Sequence, residues 1–175
     1  MLYGFHDDQW EALVEMTRAI LIQKARGPNE NDARIFYGEL VNRLSMHLTQ
    51  LIQSNAGPPY DQDFLERFQR HIWPDSIAMR SLLERLSRDS HAAGNGMLSV
   101  VVVNADTGVP GSGFFELGRE LYRYRCDDLE FLISEFRRVL DAGTCEGRVS
   151  RGAIYSMSAC TKLGKLTAAD FEAEL

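Results

Sequence analysis

The sequence contains few of the residues from which disulfides, metal sites and basic surfaces are built. Its three cysteines, Cys126, Cys145 and Cys160, form no C-x-x-C pair. Neither a zinc site nor a redox pair is therefore indicated, and we expect reduced thiols and no cofactor. The net charge of −6 at pH 7 argues against a surface coated in basic residues for nucleic acid. A local basic face is compatible with that charge.

Long hydrophobic runs are also absent. No apolar stretch approaches the roughly 18 residues of a membrane span. The first eight residues have neither the basic start nor the apolar centre of a signal peptide. We therefore expect a cytoplasmic protein that does not enter a membrane. With 175 residues, 45% of them hydrophobic, the chain is long enough to form one domain with a sizeable core.

The strongest positive feature is a run of four valines, Val100–Val103. β-Branched residues suit a pleated strand, and an apolar run without alternation predicts a strand that is covered on both faces. A lone strand cannot satisfy its own backbone hydrogen-bonding groups. The valine strand must therefore pair with Arg34–Tyr37, with Gly152–Ala159 or with another chain, and the last option would make a dimer.

Helical spacing of apolar residues predicts that most of the remaining chain is helical. The expected helices cover about Asp7–Arg26, Tyr37–Ile52, a short segment from Asp61, a segment from Asp75 or Ser76 through Leu86, Phe114–Arg125, and a segment from Asp127 with Gly143 directly after its end. A small-residue loop over Ser90–Gly96 should lead into the valines. The fold class is therefore mainly α with a small β-sheet (α+β), in one domain over residues 1–143. The tail, residues 144–175, should carry one strand, Gly152–Ala159, and a short helix capped at Thr167.

A glycine-rich loop follows the valines. A strand, then Gly108–Gly113, then a helix is the general layout of an anion site, because backbone N–H groups and the helix N-terminus can point at a ligand. The loop contains neither Gly-Lys-Ser/Thr nor G-x-G-x-x-G, so a tight turn before a helix is the alternative. Ser112 lacks the G-x-S-x-G setting of a hydrolase nucleophile. His91, just before the valines, is the histidine best placed to belong to a site.

Arginine alternates with tyrosine after the loop. Arginine binds phosphates and tyrosine stacks on bases, but the combination is equally common at protein interfaces and on solvated helix faces. The candidate binding residues of the whole chain are Gly108, Gly111, Ser112, Gly113, Arg119, Tyr122, Arg123, Arg125 and His91.

The segment Arg34-Ile35-Phe36-Tyr37-Gly38-Glu39-Leu40 resembles the Tyr-Gly-x-Leu entry into the DNA-binding domain of alkyltransferase-like proteins. The resemblance implies a winged-helix-like core with extra N-terminal helices and a role on DNA. The family's Pro-Cys-His-Arg motif has no counterpart here, since the corresponding region reads Met97-Leu98-Ser99-Val100-Val101. The resemblance therefore implies no alkyl transfer. A second stretch, 102–115, is similar to one shared by small uncharacterised bacterial proteins, which implies a bacterial or phage origin.

Three functions follow from these observations. The first is a non-catalytic, winged-helix-like module that contacts DNA or a DNA-bound partner through its arginines and the glycine-rich loop. The second is an acidic protein-interaction protein of the immunity, antitoxin or inhibitor type, because an acidic protein can neutralise a basic partner. The third is an enzyme that acts on a phosphorylated substrate at Gly108–Gly113. The absence of recognisable catalytic motifs favours a protein that is not an enzyme.

Overall fold

A computed structural model of the protein describes residues 1–27 and 32–144. The described part is mainly helical with a small β-sheet, as the sequence predicts. The helices are α1 Asp7–Ala25, α2 Tyr37–Gln53, α3 Gln62–His71, α4 Ile77–Ala92, α5 Ser112–Tyr122 and α6 Asp128–Thr144. The strands are β1 Ile35–Phe36 and β2 Val102–Val103. The predicted strand Gly152–Ala159 and the helix capped at Thr167 lie outside the described residues.

Capping side chains explain where several helices begin. Asp61 accepts a hydrogen bond of 2.8 Å from the Phe64 amide at the start of α3, and Ser76 accepts one of 3.1 Å from the Met79 amide at the start of α4. Asp127 caps α6 in the same way. Each cap satisfies a backbone donor that has no partner within its helix. The predicted starts of these two helices, at Asp61 and at Asp75 or Ser76, are therefore confirmed.

α1 begins at Asp7 as predicted, but its cap is not the one the sequence indicates, which is Asp7 or Asp8. His6, and neither Asp7 nor Asp8, is the N-cap residue, and its amide donates a hydrogen bond of 3.2 Å to Gln9 Oε1. The two aspartates instead occupy the first turn, where negative charge is favourable near the positive end of the helix dipole.

The valine run is only half strand, so that prediction is wrong for Val100 and Val101. Leu98–Val101 form a 3₁₀ turn, and strand geometry is confined to Val102–Val103. β2 runs parallel to β1, with Ile35 opposite Val102 and Phe36 opposite Val103. Pairing with the Arg34–Tyr37 segment is therefore confirmed. Because α2 already begins at Tyr37, β1 offers no further residue on which the ladder could continue.

Burial, in contrast, follows the prediction. All residues from Met97 to Val103 are buried. Their backbone groups are satisfied partly by side chains: Ser87 Oγ, itself buried on α4, accepts a hydrogen bond of 3.1 Å from the Ser99 amide. The carboxylate of Glu135 on α6 accepts one from the Met97 amide. Polar residues from α4 and α6 thus replace the missing strand partner.

Three other boundaries are corrected. α4 continues through Ala92, so the loop before the valines is shorter than Ser90–Gly96, although Gly96 does adopt a φ of +78°. α5 ends at Tyr122 because Arg123 takes a left-handed conformation with φ 51°. Gly143 lies within α6 and does not terminate it. A Cβ at Gly143 would stand 3.2 Å from the carbonyl oxygen of Ala25, so glycine allows α6 to approach the end of α1.

One contiguous core receives side chains from every helix. Representative members, one from each helix in order, are Leu13, Leu44, Phe64, Leu82, Phe114 and Phe131. The 3₁₀ turn and β2 both lie within this core: the turn contacts α1, α4 and α6, and β2 contacts β1 and α2. None of the helices in the described ranges is both long and apolar enough to cross a bilayer.

Candidate functional site

The glycine-rich loop opens with a closed turn. The Asn104 amide donates a hydrogen bond of 2.9 Å to the Val109 carbonyl, and the Gly108 amide donates one of 2.8 Å back to the Asn104 carbonyl. The Asp106 amide is held by Asn104 Oδ1 at 2.8 Å. Because these backbone donors are already engaged within the turn, they do not form the open cradle of a phosphate loop.

The end of the loop becomes the start of α5. Gly111 is the N-cap residue, and Ser112 and Gly113 occupy the first turn, where both are exposed. The Tyr37 hydroxyl is hydrogen-bonded to the Gly111 backbone; burial raises the pKa of Tyr37, and this bond opposes the rise. The loop is thereby attached to α2.

Arg119 is committed to contacts within the protein. Its guanidinium lies 2.6 and 2.7 Å from the two carboxylate oxygens of Asp128 and 5.7 Å from the ring centre of Tyr124. The Tyr124 ring stacks on Phe131 with a centroid distance of 4.0 Å and an interplanar angle of 4°. Arg119 therefore joins α5 to the start of α6, and a ligand anion would have to compete with Asp128 for it.

Arg123 and Arg125 lie in the connection between α5 and α6. Both are exposed, and neither forms an ion pair with any residue in the described part of the chain. The left-handed conformation of Arg123 turns the chain sharply after α5. Of the predicted arginines, these two are the ones available to a partner.

Tyr122 and His91 are brought together at the edge of the core. Their ring centres are 4.5 Å apart at an angle of 74°. The Tyr122 hydroxyl donates a hydrogen bond of 2.7 Å to Glu135, and the Arg138 guanidinium lies 4.9 Å from the Tyr122 ring centre. Burial, with the nearby charge of Glu135, raises the pKa of Tyr122 well above its usual range. This tyrosine is a neutral donor in a packed network, not an exposed stacking platform.

A pH-dependent contact links these elements. The Tyr124 hydroxyl donates a hydrogen bond of 2.6 Å to Asp128, and this bond, followed by the Arg119 contact, lowers the pKa of Asp128. Because the folded-state pKa is depressed, the stabilisation is present above the unfolded-state value of about 3.9 and is lost as the pH falls through the lower folded-state value.

We expect Tyr124→Phe to raise the pKa of Asp128, because the substitution removes the hydroxyl that favours the carboxylate and keeps the ring on Phe131. Titration of the Asp128 carboxyl carbon by NMR measures the change. Tyr60→Phe, which alters a distant tyrosine, is the control and should leave that pKa unchanged. A titration curve for Asp128 that is the same in Tyr124→Phe and in the unmodified protein would contradict the assignment.

The structure also contains a pocket that the sequence did not predict. Its volume is about 210 Å³, and it lies between the 104–109 turn and α6. The lining residues are Arg34, Val100, Val103, Thr107, Gly108, Val109, Pro110, Leu129, Leu132, Ile133 and Phe136. The apolar stripe on α6 was visible as helical spacing. Helical spacing does not indicate that part of that stripe faces a cleft and not the core.

The described residues contain no cluster of three or more side chains able to hold a metal ion. The predicted residues thus fall into three groups: a turn and helix start, an internally bonded set around Arg119 and Tyr122, and the exposed pair Arg123 and Arg125. Compared with known proteins, the chain matches no family model, no curated protein and no solved structure.

Proposed function

We propose that this protein is a non-catalytic binding protein whose partner is another protein. The observation that carries the proposal is an exposed tryptophan at the junction of α3 and α4. Trp73 is 50% exposed, and Ile77, at the start of α4, is 69% exposed. Aromatic side chains are enriched at protein interfaces, and tryptophan is prominent among the residues that dominate binding energy.

The backbone that carries Trp73 is fixed before any partner binds. Ser76 is 2% exposed; its amide donates a hydrogen bond of 3.0 Å to the Trp73 carbonyl, and its hydroxyl accepts one of 3.3 Å from the Trp73 amide. The same hydroxyl caps α4. A preorganised anchor loses less conformational entropy on binding. The acidic net charge of −6 further favours a basic partner.

Affinity capture from a lysate of the source organism tests this proposal. We expect the unmodified protein to retain a defined partner and Trp73→Ala/Ile77→Asp to lose it. The matched control is Met46→Asp, because Met46 is 63% exposed on α2 and lies outside the junction. Equal capture by the double variant and the control, or no partner for the unmodified protein, would refute the assignment of this surface.

DNA is the second candidate, and it is supported by the exposed pair Arg123 and Arg125. The resemblance at Tyr37-Gly38-Glu39-Leu40 motivates a winged-helix-like core for this function. Against it, other arginines are engaged by carboxylates, as Arg88 is by Glu84 and Glu120 at 2.8 Å. Affinity for DNA derives largely from arginine and lysine side chains that neutralise phosphates, and an arginine already paired with a carboxylate is less available for this.

Fluorescence anisotropy with duplex DNA at low salt tests the DNA function separately. If Arg123 and Arg125 each contact a phosphate, Arg123→Gln/Arg125→Gln should weaken binding and reduce the slope of log K against log salt by about 2. Arg137→Gln, which changes an exposed arginine on α6, is the control. Absence of binding at micromolar protein, or binding that does not depend on salt, would exclude this function.

A further inference from the structure

We propose that the pocket between the 104–109 turn and α6 binds a small carboxylate with an apolar body, such as one aromatic ring or a short branched chain. This site, called here the α6 pocket and defined by the lining residues given above, is distinct from the Trp73 surface. The proposal therefore goes beyond the protein-binding function and does not depend on it.

The size and walls of the α6 pocket set the apolar part of the ligand. Three segments distant in the sequence meet there: Arg34 just before β1, the stretch from Val100 to Pro110, and the first three turns of α6. Most of the walls are valine, leucine, isoleucine, proline and phenylalanine side chains. A dry apolar cavity of about 150 Å³ accommodates benzene, so a volume of about 210 Å³ suits a single ring with a short substituent.

The charge at the α6 pocket sets the polar part of the ligand. Arg34 is the charged residue among its lining residues, and its guanidinium lies 5.5 Å from the ring centre of Phe136. No carboxylate pairs with Arg34 in the described part of the chain, whereas Arg43 is held by Glu39 at 2.8 Å and Arg119 by Asp128. A guanidinium beside apolar walls favours an anion with a planar pair of oxygens, which a carboxylate provides.

A carboxylate fits better than a phosphate monoester. A doubly charged group would be matched by only one cation, and the Asn104 and Gly108 amides of the adjacent turn are already bonded within it. The Val109 amide is likewise directed to the Thr107 hydroxyl, at 3.4 Å. A single carboxylate needs one guanidinium, and its apolar body occupies the walls that a free phosphate would leave empty.

The rim of the α6 pocket is formed before a ligand binds. The hydrogen bonds between Asn104 and both Gly108 and Val109 fix the turn on one side. The Phe136 side chain, 6% exposed, anchors the other side in the core. Ligand sites are usually preformed concave surfaces with apolar walls and a few directed polar groups, and the α6 pocket has this composition at small size.

NMR titration of full-length protein with labelled valine, leucine and isoleucine methyl groups tests the proposal. The probes are 3-phenylpropanoate and its uncharged analogue 3-phenylpropanamide, which have nearly the same shape. We expect both probes to shift the methyl signals of Val109, Leu132 and Ile133. We expect the acid to bind about tenfold more tightly. A hydrogen bond to a charged group is more favourable than one to a neutral group, and the difference in free energy corresponds to about tenfold in the dissociation constant.

Three variants assign the preference to this pocket. Arg34→Gln should reduce the affinity for the acid to that for the amide. Leu129→Asp should reduce the affinity for the acid most, since it places a negative charge at the rim of the pocket. Leu129 is 59% exposed, so the fold should tolerate the change. Arg137→Gln, which removes an exposed arginine on the same helix outside the pocket, should change neither affinity.

Specific results would overturn the proposal. One is the absence of methyl shifts with either probe at millimolar concentration. Another is equal affinity for acid and amide in the unmodified protein. A third is an equal loss of affinity for the acid in Arg137→Gln and in Arg34→Gln, which would indicate that the acid is attracted to the positive charges of the protein in general. Because none of these measurements involves Trp73, failure here is distinguishable from failure of the protein-binding function.

Discussion

Replacement of Glu135 by alanine is expected to reduce the free energy of unfolding by about 3–5 kcal/mol, since it leaves the Met97 amide and the Tyr122 hydroxyl without their acceptor, at about 1–3 kcal/mol each, and opens a cavity. Glu135 is fully buried. Its carboxylate accepts hydrogen bonds from the Met97 amide, the Tyr122 hydroxyl and the Arg138 guanidinium. One side chain on α6 thus holds the chain before the 3₁₀ turn, the end of α5 and its own helix.

The size of this effect follows from what remains after truncation. The Met97 amide is part of a loop that cannot form a strand ladder, so its donor would be buried without a partner. Gly96, next to it, approaches so closely that a Cβ there would lie 2.9 Å from Glu135 Oε1. The loop is therefore shaped around this carboxylate, and alanine would also leave a cavity.

Urea unfolding of two further variants separates charge from contact. Glu135→Gln keeps an acceptor for Met97 but loses the ion pair with Arg138, so we expect an intermediate loss. Glu116→Ala removes an exposed carboxylate on α5 and should change stability by less than about 0.5 kcal/mol. A loss of under about 1 kcal/mol for Glu135→Ala would mean that water or rearrangement satisfies the Met97 amide and the Tyr122 hydroxyl. It would contradict the inference that the Glu135 carboxylate holds these segments together.

The network around Glu135 shows how far the sequence could predict this fold. Local signals were sufficient to place the helices along the chain, though not to fix the ends of α4, α5 and α6, since caps such as Asp61 and Ser76 and the spacing of apolar residues depend on near neighbours in the chain. The valine run shows where local preference fails. Burial was predicted correctly for Val100 and Val101, but strand geometry also needs a partner of equal length, and β1 has only two residues. Tertiary context therefore decided their conformation.

The candidate site was less predictable, because its contacts join distant segments. The contact between Arg119 and Asp128 depends on the sharp turn at Arg123. Arginine is not a residue type from which such a turn would be predicted. Glu135 did carry a signal: it lies three residues after Leu132 and one before Phe136, on the apolar face of α6. A carboxylate in that position indicates a buried, bonded group. The α6 pocket requires Arg34, the turn and α6 together, and no local pattern contains all three.

Gly118→Ala is expected to destabilise the protein by about 1–3 kcal/mol, the usual cost of overpacking a core, although alanine is the better helix former by about 1 kcal/mol. Gly118 is buried in α5, and an added Cβ would lie 2.5 and 2.6 Å from two carbons of the Phe131 ring. Phe131 cannot move away easily. It is 3% exposed and packs against Tyr124 on one face and Phe114 nearby.

Gly113→Ala in the same helix is the matched control. No atom outside its immediate neighbours lies within 4 Å of the position that its Cβ would occupy, so only the gain in helix propensity remains, up to about 1 kcal/mol. The two glycine-to-alanine changes should therefore shift the thermal midpoint in opposite directions. Because the chemical change and the helix are the same, the difference isolates the contact between α5 and the Phe131 ring. Stabilisation by both substitutions would mean that α5 and α6 do not pack this closely, and the attachment of Arg119 and Tyr122 to α6 would have to be abandoned with it.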